Sequence, residues 1–136
     1  MRASGRLQLI DGDSHEYFGD KVKFHFSQGH TPGLMLSEIK GSPISDGAEQ
    51  SKGLVFCADL IPGRPWVHLP VTMGYDRYPE CLIDEKQSFL SDMMDRGIQL
   101  YFTHDPSCAL AHVSRDEKGR YSTAHEQDQL LGEVWQ

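Results

Sequence analysis

The chain has 136 residues, enough for a single domain over 1–136 that would bury roughly two-thirds of its unfolded surface. Its 38% hydrophobic and 24% charged content is that of a globular protein, and a net charge of −7 without a Lys/Arg cluster argues against a nucleic-acid or anionic-membrane partner. No stretch is apolar over enough length for a signal peptide or a membrane span, and Cys57, Cys81 and Cys108 form no C-x-x-C pair, so free thiols in a reducing, cytoplasmic setting are expected.

In chain order, "GRLQLIDG" (5–12) alternates up to a turn cluster and predicts a short strand. "DKVKFHFSQG" (20–29) alternates more clearly, with Val22, Phe24 and Phe26 on one face and Lys23, His25 and Ser27 on the other. "GLMLSEIKG" (33–41) predicts a third strand, and the Gly/Ser/Pro-rich stretch 42–53 predicts a mobile loop. "LVFCADL" (54–60) is the apolar run of a strand buried on both faces. Residues 61–79 carry prolines, glycines and the aromatics Trp66, Tyr75 and Tyr78, and a loop this long in a small domain points to a pocket.

Helical periodicity returns at 80–96, where Leu82, Phe89, Leu90 and Met93 form an apolar stripe between Pro79 and the stop signal Gly97. A buried strand follows at 98–103, then a hairpin built from "CALAHVS" and "RYSTAHE", and a short helix is predicted over 127–136. The order β-β-β-β-α-β-β-β predicts an α+β fold, a mixed β-sheet with a helix packed on one face.

Three predicted strands run into residues able to bind metal: His30, Asp59 and His104. Taken singly, each is as readily a turn or cap residue as a ligand. In combination, "GHTPG" (29–33), "VFCADL" (55–60) and "LYFTHD" (100–105) resemble the C-terminal half of the metallo-β-lactamase fold superfamily. The resemblance spans about 6–125 and implies half of an αββα sandwich. It also implies that His30 and His104 ligate two metals bridged by Asp59. Ala58 stands where the family has glycine, and the family's His-x-His-x-Asp-His motif has no counterpart, since no two histidines here are separated by a single residue.

The resemblance therefore implies the C-terminal part of a metal-dependent hydrolase, with zinc expected as two ions per complete site. Such a centre makes a shared water nucleophilic near neutral pH, and the substrate would be a small ester, lactone, thioester or β-lactam. Iron in a redox member of the superfamily, or a non-catalytic module with an incomplete site, remains open. His68 and Tyr75, in the 61–79 loop, are candidates to touch substrate; the alternative is that the loop's aromatics only pin it down. His15, His25, His112 and His125 are expected at the surface, and Asp105 either orients its loop or, the favoured reading, is a plain turn former. The sheet face opposite the helix would be left bare in a half-sandwich, which suggests a homodimer through that face.

Overall fold

A computed structural model describes residues 4–5, 7–41 and 52–129. Six strands form one mixed sheet in sequence order: β1 (Val22–Ser27), β2 (Leu34–Lys40), β3 (Gly53–Phe56), β4 (Gln99–Tyr101), β5 (Leu110–Arg115) and β6 (Tyr121–Gln127). All neighbours are antiparallel except β3 and β4, which run parallel because the helix α1 (Pro79–Arg96) carries the chain back between them. The fold is thus α+β, as the periodicities predict.

The helix begins at Pro79, which fits the first turn because its missing N–H would be unpaired there anyway. Gly97 closes it in the left-handed conformation, its N–H returning to the Met94 carbonyl. The buried stripe contains the predicted Leu82, Phe89, Leu90 and Met93, but also Lys86. This ammonium is fully buried and donates to the carbonyls of His68, Leu69 and Val71 at 3.1, 3.1 and 2.8 Å. Burial lowers its pKa to about 8, with the nearby Asp76 charge pulling the other way.

Several expectations need correction. Of the strand expected over 5–12, residues 7–12 form none; the bond to the edge of β1, Phe24 N–H to the Asp13 carbonyl, lies just past this segment, and one bond is not a ladder. Gly53 belongs to β3 rather than to the preceding loop, whose residues 42–51 lie outside the described residues. β3 stops at Phe56, so Asp59 sits in a turn beyond the strand rather than at its end. Of the helix expected over 127–136, Gln127 ends β6 and residues 130–136 lie outside the described residues.

The alternation in β1 is real, but its polar side faces the helix. His25 packs edge-on against Phe89, Ser27 donates to Glu85, and Glu38 of β2 takes two bonds from Arg96 at 2.7 and 2.6 Å. His25 is accordingly no surface histidine: its Nε2 lies 2.7 Å from the buried Glu38 carboxylate. In register with Glu38, Val55, Leu100 and Ala111 continue this face as core. On the opposite face Phe26, Met35, Ile39 and Phe56 are each 41–43% exposed.

Candidate metal centre

β1 is antiparallel to β2 and β2 to β3, while β3 and β4 are parallel. Strands β1, β3 and β4 therefore point the same way and deliver their following turns to one edge of the sheet. Those turns carry His30, Asp59 and His104. His30 Nε2 lies 3.4 Å from Asp59 Oδ2, and His104 Nε2 lies 3.1 Å from Asp59 Oδ1. One carboxylate thus faces two imidazoles, one on each oxygen.

These separations suit a metal ion between each pair. Nitrogen and oxygen donors held about 2.0–2.2 Å from one zinc, at angles between right and tetrahedral, lie about 3.0–3.4 Å apart. The donor types, neutral imidazole and carboxylate, also fit zinc or iron. Among the described residues, however, no three such side chains converge on a single point. Each position has two donors among the described residues, His30 with Asp59 or His104 with Asp59, fewer than the four of a closed zinc site. Asp59 and His104 are correspondingly open to solvent, at 41% and 65% side-chain exposure.

His30 is held from three sides. Its Nδ1 lies 2.8 Å from Oδ1 of Asp76, whose side chain is fully buried and whose Oδ2 accepts from the Met73 N–H. A carboxylate on Nδ1 favours the tautomer that leaves the Nε2 lone pair facing Asp59. Below the ring, Glu85 of α1 accepts from Ser27 Oγ and from the N–H groups of Gln28 and Gly29, tying the turn to the helix. Burial pushes the Glu85 carboxyl up, but these donors outweigh it and leave it lowered. Gly29 is required for this approach, because a Cβ there would meet Leu82 Cα at 2.5 Å. Tyr75 completes the surround, its exposed ring edge-on to His30 at 6.0 Å.

Around Asp59 the backbone is strained. Ala58 has φ 45, the left-handed region that favours glycine. The departure noted in the sequence therefore has a conformational cost, located beside a candidate ligand. Asp105 is not a plain turn former. Its carboxylate receives the Arg64 guanidinium on both oxygens, at 2.9 and 3.1 Å, together with the Arg64 and Ser107 N–H groups.

Of the two weaker candidates, Tyr75 lies against His30, while His68 follows the 3-10 turn Arg64–Val67 and lines a cleft of about 330 Å³ shared with Arg64, Asp116, Arg120 and Tyr121. Sequence reasoning gave no role to Asp76, Glu85 or Arg64. Charged residues in a loop or on a helix carry no spacing signal for partners tens of positions away, and only the fold brings those partners close.

No protein-family model matches the sequence, and no curated protein sequence does either. Solved structures do match. AidC, a dizinc quorum-quenching lactonase seen with a product, superposes with a TM-score of 0.67 at 21% identity, covering 93% of this chain and 40% of that one. A probable metal-dependent hydrolase from Staphylococcus aureus gives 0.69 at 20% identity, with 94% and 42% covered. The hydrolase AbOPH of the beta lactamase superfamily gives 0.63 at 19%, with 93% and 41% covered. The chain therefore spans about two-fifths of the length of the structures it matches.

Proposed function

Since the chain carries part of the metallo-β-lactamase fold, we propose that it is the C-terminal part of a metal-dependent hydrolase. Its substrates would be small esters, lactones, thioesters or β-lactams. In this reading Asp59 is shared by two zinc ions, with His30 on one and His104 on the other. The observation that carries it is the pair of imidazole Nε2 atoms facing the two oxygens of a single carboxylate, at 3.4 and 3.1 Å. Two of the matched structures, a dizinc lactonase and a probable metal-dependent hydrolase, support the same chemistry.

Zinc held by His30, Asp59 and His104 would supply Lewis acidity and make water nucleophilic near neutral pH. What this chain contributes is orientation. Asp76 holds the His30 ring by Nδ1, Glu85 holds the backbone below it, and Lys86 fastens the 68–71 backbone beside Asp76. Tyr75, exposed at the edge of His30, is placed to meet substrate. The donors still needed for a closed site would come from outside the described residues, and a second layer on the bare sheet face would bring them. Among the described residues no helix is long and apolar enough to cross a membrane.

The test is Asp59→Ala in the complete protein, with zinc and iron counted by elemental mass spectrometry and turnover followed on an ester, a thioester and a lactone. Loss of both metal equivalents together with turnover is expected. Full activity, or one equivalent held unchanged, overturns the shared carboxylate. A second reading, a non-catalytic module, has one observation in its favour: no three donors converge on one point among the described residues. A complete protein that holds no metal and hydrolyses none of the panel would establish it.

A further inference from the structure

The two imidazoles are held in different ways. His30 is 11% exposed and has Asp76 on its second nitrogen. His104 is 65% exposed, and among the described residues its ring has no hydrogen-bond partner besides Asp59. Packing therefore does not position His104. Its position depends on its backbone, and the contacts there converge on Arg64.

Arg64 lies five residues after Asp59, and the segment between them is anchored by the buried Leu60 and Ile61. Its guanidinium spans Asp105, the residue after His104, with Nε on Oδ2 at 2.9 Å and Nη2 on Oδ1 at 3.1 Å. Its own N–H adds a third bond to Asp105 Oδ2 at 3.1 Å, and Nη2 reaches Ser107 Oγ at 2.6 Å. The remaining fork, Nη1, is taken by Glu126 of β6 at 2.6 Å. Alongside, the His104 N–H donates to the Pro62 carbonyl at 2.9 Å.

We propose that Arg64 is a positioning residue for the His104–Asp59 half of the centre, stapling the loop that carries one to the loop that carries the other. This inference rests on the metal-centre reading above. A planar fork that binds both carboxylate oxygens fixes direction as well as distance, which a lysine ammonium cannot do. His30 is tied to α1 and Asp76 instead, so loss of the staple acts on one half of the centre only.

The experiment is zinc addition to the complete protein, followed at the imidazole nitrogens of His30 and His104 by long-range proton–nitrogen NMR. Arg64→Met is compared with wild type. In wild type zinc moves both rings. In Arg64→Met the zinc needed to move His104 rises about tenfold or more, the usual loss for a partner behind a ligand, while His30 responds as before. Arg64→Lys groups with Met rather than with wild type, and it decides the matter if the Met variant does not fold. Equal loss at both rings, or none at His104, overturns the staple. If zinc moves neither ring in wild type, the metal reading falls, and the staple is judged without metal by amide exchange. The His104 N–H then exchanges at least about tenfold faster in the variants, with the Tyr78 N–H, bonded to the Gly29 carbonyl, unchanged. Equal protection at His104 overturns it.

Discussion

On one face of the sheet α1 covers His25, Ser27 and Glu38; on the other, Phe26, Met35, Ile39 and Phe56 stand two-fifths exposed. Ordinary partition would reverse this, with the aromatics inside and the ionisable groups in water. The covered face tolerates its charges because they are paired: Glu38 is bonded by Arg96 and His25, and Arg96 is also bonded by Asp92. The bare face has no such device, and an apolar patch of this kind marks a surface built to meet another. The difference teaches that charge can be buried where it is paired within the chain, while four large apolar side chains of the other face stay two-fifths exposed.

The largest effect should come from breaking the paired charges. Glu38→Ala leaves Arg96 and His25 without their partner, and about 3 kcal/mol should be lost in urea unfolding. Ile39→Ala, one position along but on the bare face, should cost about 1 kcal/mol or less, because much of that side chain is already in water. If the two losses are equal, the contrast between the faces is wrong.

Acid sharpens the same contrast. Burial pushes the Glu38 carboxyl up, but the Arg96 and His25 hydrogen bonds outweigh it, lowering the value from 4.5 to about 2. The unfolded chain takes up a proton near pH 4.5 that the folded chain refuses until about pH 2. This stability is therefore complete above pH 4.5 and lost as pH falls through the window, on the order of 2–3 kcal/mol in total. Glu38→Gln should flatten that part of the acid unfolding curve.

On the bare face, Phe26→Ser with Phe56→Ser should change stability by about 1 kcal/mol, and if the isolated chain associates through this face, as the sequence suggests, the two changes should abolish its concentration dependence in sedimentation. Collapse of the fold would mean that the face is covered within the chain. The smallest effect is at Ala58, where relief of the left-handed strain by Ala58→Gly should exceed the extra chain entropy of glycine by at most about 1 kcal/mol. A loss of stability would show that the Ala58 methyl packs against something that matters more than its backbone.

The helix, β1, β2 and the terminal hairpin were legible because their periodicity and stop signals are local. The strand expected over 5–12 fails for the same reason: alternation is present there, but a strand also needs a ladder partner, which no local pattern reports. His30, Asp59 and His104 could be named from their motifs, and their convergence follows once β1, β3 and β4 are known to run the same way. Asp76, Glu85 and Lys86 could not be assigned, and Asp105 reads first as a turn former, because a charged residue in a loop or on a helix looks solvated until its partner is known. Lys86 even occupies the apolar stripe, where the sequence shows only an interruption.

Residue order alone carries the strands, the helix and the identity of the candidate ligands, because turn chemistry and periodicity act over a few neighbouring positions. Which face of the sheet becomes core is a different kind of fact. A period of two divides side chains between two faces without saying which face meets the helix. That choice rests on partners far apart in the chain, such as Glu38 with Arg96, 58 residues away, and Ser27 with Glu85, also 58. Only the folded chain pairs them, and only pairing makes it cheaper to bury those charges than to expose them.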